Sequence, residues 1–118
     1  MKVNVDFPRD FVEGKYQIIT LTVDANLTNY KAKCDIFDRS GQDLKLATVG
    51  ITGGADTQIK ITAGTISTIV IYIQNDDTDN FGEECYMEVD LVDSLGHEIP
   101  LYYDRFILKP TELDWDTI

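Results

Sequence analysis

The chain has little of what catalysis and nucleic-acid binding most often use. Its 118 residues include one histidine, one tryptophan and two cysteines, and ten lysine or arginine side chains stand against 21 aspartates and glutamates. The single histidine, His97, follows Gly96 in a turn-like stretch where nothing fixes a nucleophile or an orienting carboxylate beside it. Acid–base and nucleophilic catalysis therefore lack their usual parts. Carboxylates are plentiful, but at this acidity close pairs arise by chance and do not favour a glycosidase. No apolar run approaches the ~20 residues of a membrane span. The N-terminus also lacks the basic, apolar, small-residue pattern of a secretion signal. The expectation is a soluble protein, made and kept in the cytoplasm, with no membrane contact.

The formal net charge of -11 is unevenly placed. Residues 1–74 carry eight acidic and eight basic side chains, whereas residues 75–118 carry thirteen acidic ones against Arg105 and Lys109. Nucleic-acid binding needs cationic side chains that displace counterions from phosphates, so that class is set aside. An acidic surface keeps a β-protein soluble, and the excess over residues 75–118 is either a solvated surface or a face that docks on a basic partner. At 118 residues a single domain buries roughly 65% of its unfolded surface and folds without metals or disulfides.

What is present is alternation. Cys85, Met87, Val89 and Leu91 interleave with Tyr86, Glu88 and Asp90, the period of a strand with one buried face. Asp93-Ser94-Leu95-Gly96 has the chemistry to reverse the chain, so residues 85–108 read as a long hairpin. Val3, Val5 and Phe7 mark a short edge strand ended by Pro8. Residues 16–23 carry apolar side chains on both faces and read as a central strand; Tyr30, Ala32, Cys34 and Ile36 alternate with Lys31, Lys33 and Asp35. Asp38-Arg39-Ser40-Gly41 repeats the turn chemistry of residues 93–96, and residues 44–49 form a further short strand. The β-branched run 58–74 is a strand pair or one strand bent at Gly64, and residues 75–84 read as a polar loop. No stretch of ten residues keeps a helical period. The chain is predicted to be all-β, with seven to nine strands: a β-sandwich domain over 1–110 and an acidic C-terminal tail over 111–118.

Cys34 and Cys85 are spaced like an immunoglobulin cross-sheet disulfide, but Cys34 falls on the third strand and no tryptophan lies between them, so two buried thiols are expected. Asp77-Thr78-Asp79-Asn80-Phe81-Gly82 has the glycine of an EF-hand loop, yet Phe81 occupies a ligand position and a strand follows where a helix belongs. A looser calcium site at Asp76, Asp77 and Asp79 is the weak alternative to no metal. Asp104 and Arg105 break the apolar alternation between Tyr102 and Phe106; a β-bulge there lets Arg105 pair with a neighbouring carboxylate. The tail holds Leu113, Trp115 and Ile118, which either fold back on the domain or dock on a partner.

One order of features carries a resemblance. It runs from the strand 16–23 through Ile36-Phe37-Asp38-Arg39-Ser40-Gly41 and Gly53-Gly54 to Asp77-Thr78. It continues with Tyr86-Met87-Glu88-Val89, the turn 93–96 and Phe106-Ile107-Leu108-Lys109-Pro110. Over residues 12–110 the chain resembles small immunoglobulin-like modules of tailed-bacteriophage structural proteins, including the N-terminal domains of baseplate upper proteins. Asp104 stands where those modules usually carry glycine. The resemblance implies an immunoglobulin-like two-sheet antiparallel sandwich. Its function would be that of a non-enzymatic virion protein of the tail, neck or baseplate, made in the host cytoplasm and without cofactor. Its partners would be other virion proteins and further copies of itself. Capsid decoration, or a carbohydrate-binding adhesion module, is the alternative, with Tyr102, Tyr103 and Trp115 as candidates to stack on a sugar. The expected partner contacts are Leu113, Trp115 and Ile118 in the tail, Val3 and Val5 on the edge strand, and the acidic loop around residues 76–79.

Overall fold

The computed structural model describes residues 1–7, 11–47, 59–74 and 77–110. Alternating residues build eight strands: β1 (Val3–Asp6), β2 (Gln17–Val23), β3 (Lys31–Asp38), β4 (Asp43–Ala47), β5 (Ile59–Thr62), β6 (Ser67–Ile73), β7 (Glu84–Val92) and β8 (Glu98–Ile107). They form two antiparallel four-stranded sheets, ordered β1-β2-β6-β5 and β4-β3-β7-β8. In immunoglobulin terms these are the A-B-E-D sheet and the C-F-G sheet widened by one strand. The run 59–73 is thus a hairpin of two strands, the first of the two readings its sequence allowed. Among the described residues no helix is long and apolar enough to cross a membrane.

The core forms where the inner faces meet. The first sheet supplies Ile19, Leu21, Val23, Ile59, Ile69, Ile71 and Ile73, and the second Ala32, Cys34, Ile36, Leu46, Cys85, Met87, Val89 and Leu91, all buried. Each fully buried aliphatic side chain contributes about 1.5–3 kcal/mol over its exposed state, and the run of isoleucines on β6 suits the pleat. Ser67 is the polar exception, fully buried. Its hydroxyl donates to Ala25 O at 2.8 Å and accepts from Leu27 N at 3.0 Å, which ties the loop after β2 to the start of β6.

Beyond β1 the chain changes sheets. Val12 pairs in parallel with Lys109 just past β8, through Glu13 N to Lys109 O and Lys109 N to Phe11 O, both 2.8 Å. Phe7, Phe11, Tyr102 and Phe106 meet in one aromatic cluster, with the Phe11 and Phe106 ring centroids 4.7 Å apart. The loop before β7 is less polar in place than in sequence, because Thr78 and Phe81 are buried in it.

The two buried thiols are found as expected, while the bulge is displaced. Cys34 and Cys85 are free and buried; β3 and β7 are neighbours in one sheet, so a cross-sheet disulfide has no geometry available. The bulge lies at Leu101 rather than at Asp104 and Arg105: Val89 pairs with Tyr102 and Asp90 with Pro100, leaving Leu101 unmatched. Pro100 has no N–H for the ladder, which favours an irregularity beside it. Arg105 does pair with a carboxylate, Glu84, at 3.2 Å.

Candidate docking faces

Alternate residues of each strand point away from the core, and the register arranges them in rows. On the β4-β3-β7-β8 sheet one row is Asp43, Phe37, Tyr86 and Arg105, and the next is Lys45, Asp35, Glu88 and Tyr103. Phe37 and Tyr86 stack at 5.5 Å and 19°, and Tyr86 and Tyr103 at 6.4 Å and 26°. The three rings form a ridge across the sheet, standing face against face with their edges outward. Tyr103, 61% exposed, ends the ridge. Glu84 gathers the nearby donors, accepting from the Tyr86 hydroxyl at 3.1 Å and pairing with Arg105 and with Arg39 Nε at 3.3 Å. That hydroxyl, helped by the two guanidiniums, holds its carboxyl below the usual range.

Beside the ridge lies a pocket of about 400 Å³ lined by Lys33, Asp35, Lys45, Glu88 and Asp90. Burial, with Asp43 nearby, pushes Asp35 up to about 6, while Asp43 is held low by its hydrogen bonds to Asp35 and Lys45. Lys45 Nζ bridges them, 3.3 Å from Asp35 and 3.1 Å from Asp43, and Lys33 pairs with Glu98. Both lysines are answered by carboxylates, whereas Asp35 Oδ1 and Asp90 Oδ1 are buried with no hydrogen-bond partner among the described residues. Burial pushes the Cys34 thiol under this pocket to about 12 and Cys85 to about 11, so neither is a ready nucleophile at neutral pH.

The opposite face, on β1-β2-β6-β5, is of another kind. Its rows are Asn4, Thr22, Thr68 and Thr62; then Asp6, Thr20, Val70 and Lys60; then Ile18 and Tyr72. In a chain that is 26% charged, the two central strands present no charged side chain in these rows. The rows' charges are Asp6 on one edge strand and Lys60 on the other. Ile18 is 43% exposed and Tyr16, just ahead of β2, 49%. Threonine and valine suit a pleated surface, but an exposed isoleucine beside tyrosine is apolar area left for a partner.

The residues singled out in the sequence fall differently. Val3 and Val5 face inward and pack on the core, so a partner at the β1 edge meets Asn4, Asp6 and free backbone groups instead. Asp77 accepts from Gln74 N at 2.7 Å and Asp79 is exposed; Asp76, Leu113, Trp115 and Ile118 lie outside the described residues. Among the described residues no three His, Cys, Asp or Glu side chains are grouped to hold a metal ion. His97 is exposed, its Nδ1 3.0 Å from Asp93 Oδ2 across the turn. The uncharged face is not among those residues; its signal in the sequence is the interleaving of Thr20, Thr22, Thr68 and Val70 with the core residues Ile19, Leu21, Val23, Ile69 and Ile71. Compared with known proteins, the chain matches no family model and no curated protein.

Proposed function

We propose that this protein is a non-enzymatic structural component of a tailed-bacteriophage virion, in the tail, neck or baseplate, and that it works by docking on neighbouring proteins. The observation that carries the docking reading is the uncharged outer face of β2 and β6 on a chain of net charge -11. Elsewhere an acidic surface of this size repels acidic neighbours; here a partner meets threonine, valine, isoleucine and tyrosine. A modest patch repeated around a ring gains avidity from its neighbours and needs no single strong contact. The phage assignment is supported by the resemblance over residues 12–110.

The test is quantitative mass spectrometry of purified particles, counting copies of this chain against the major capsid protein. A ring's worth of copies is expected. A number near that of the capsid subunit points to decoration of the shell, and complete absence overturns the virion reading. The exposed face of Tyr103, next to Glu88, keeps a sugar-binding reading in play. Calorimetric titration with glycans decides it, and heat that disappears in Tyr103→Ala would favour adhesion over assembly.

A further inference from the structure

We infer that the uncharged face of the β1-β2-β6-β5 sheet is a self-complementary surface, and that its partner is a second copy of the same face. The inference rests on the docking reading above and names the partner. It follows from the row Asp6, Thr20, Val70, Lys60, in which one acid and one base sit at opposite edges of four strands. Both are exposed, and neither makes an ion pair among the described residues.

A two-fold axis between two such faces, parallel to the strands, lays β1 over the second copy's β5 and β2 over its β6. Asp6 then meets Lys60 of the second copy, twice by symmetry. The threonine row lies on the threonine row, and Ile18 lies on Tyr72. A two-fold axis across the strands would instead set Asp6 on Asp6 and Lys60 on Lys60, so charge selects the first arrangement. Stacked sheets sit about 10 Å apart with strands inclined by roughly 30°, a gap that an aspartate and a long lysine bridge from the rim. Isologous contacts of this type are the commonest in soluble oligomers, and opposed rim charges fix their register. Four strands spaced about 4.8 Å and three rows deep give a footprint of roughly 400 Å² per copy, below the ~800 Å² of a standard interface. The free protein therefore dimerises weakly, as small interfaces do, and association becomes strong where copies are already held side by side.

Sedimentation velocity over a concentration series tests this with the whole chain. Wild type is expected to dimerise with rising concentration, and Asp6→Lys or Lys60→Asp alone to weaken this by about tenfold or more, since each reversal sets like charges together. An equimolar mixture of the two variants, which restores both opposed pairs, should dimerise again, as should the double variant. Both positions are exposed, so thermal melting of each variant should match wild type. A wild type that stays monomeric throughout, a dimer indifferent to either reversal, or a mixture that fails to recover each overturns self-association. None of these bears on whether the chain is found in particles, so failure here and failure of the virion reading remain distinct.

Discussion

The turns at 38–42 and 93–97 are chemically alike and structurally unequal. Each opens with aspartate and places glycine three residues on, at φ +97° for Gly41 and +84° for Gly96. In each, the aspartate N–H donates to the carbonyl four residues later at 3.1 Å, and one carboxylate oxygen accepts from the N–H groups two and four residues on, at 2.8–2.9 Å. The difference lies in the second oxygen. Asp93 Oδ2 faces the exposed His97 ring, whereas Asp38 Oδ2 accepts from Gly82 N at 2.7 Å and is itself buried. The same local signal thus closes a hairpin in one place, and in the other also ties the β3–β4 hairpin to the loop before β7. That loop in turn holds the N-terminal segment, since Thr78 Oγ1 accepts from Gly14 N at 2.9 Å.

Removing the carboxylates should expose this inequality. Asp38→Ala strands three N–H groups at a crowded end of the sandwich and is expected to cost about 3 kcal/mol in urea denaturation. Asp93→Ala should lower the midpoint clearly less, because water reaches its donors; equal losses would mean that the Gly82 link contributes nothing. The glycines should behave alike: a Cβ at Gly41 or Gly96 meets nothing within 4 Å, so alanine at either costs only the left-handed backbone, about 1 kcal/mol. Unequal costs there would place the difference in the turns themselves.

Titration sharpens the same contrast. Backbone donors, first Gly82 for Asp38 and His97 for Asp93, hold both carboxyls below their ordinary value. Their contribution is therefore present above pH ~4 and lost as pH falls through the native values. Asp38→Asn should flatten this acid limb more than Asp93→Asn. Asp35, on the same strand as Asp38, runs the other way. With its native value raised to about 6, its favourable share is full below pH ~4 and disappears as pH rises through about 6. Asp35→Asn should then gain on the order of 1 kcal/mol at pH 7 after solvent screening, and nothing at pH 3. The smallest effect is expected at the exposed partner, where His97→Gln should leave the midpoint within error.

Much of the architecture was legible from spacing. The alternation around Cys85 and around Cys34 gave β7 and β3 their inner and outer faces, and the Asp-x-x-Gly stretches gave two hairpins. Phe81 was hidden because a lone aromatic among Thr78, Asp79, Asn80 and Gly82 has no periodicity to declare its burial. The bulge was displaced by a few residues because Asp104 and Arg105 advertise a break in polarity, while the ladder is broken by what Pro100 cannot donate. The row from Asp6 to Lys60 was invisible because its four members come from strands far apart in the chain.

The sequence by itself determined the all-β class, the inner and outer faces of the strands around Cys34 and Cys85, and the two turns that Asp38 and Asp93 open, since these depend on contacts within a few residues. Tertiary structure decided which strands share a sheet, that Cys34 and Cys85 lie in the same one, that Asp38 and not Asp93 is a tether, and that one outer face is left without charge on its central strands. These depend on the register between distant strands, which is set by the joint burial of both inner faces.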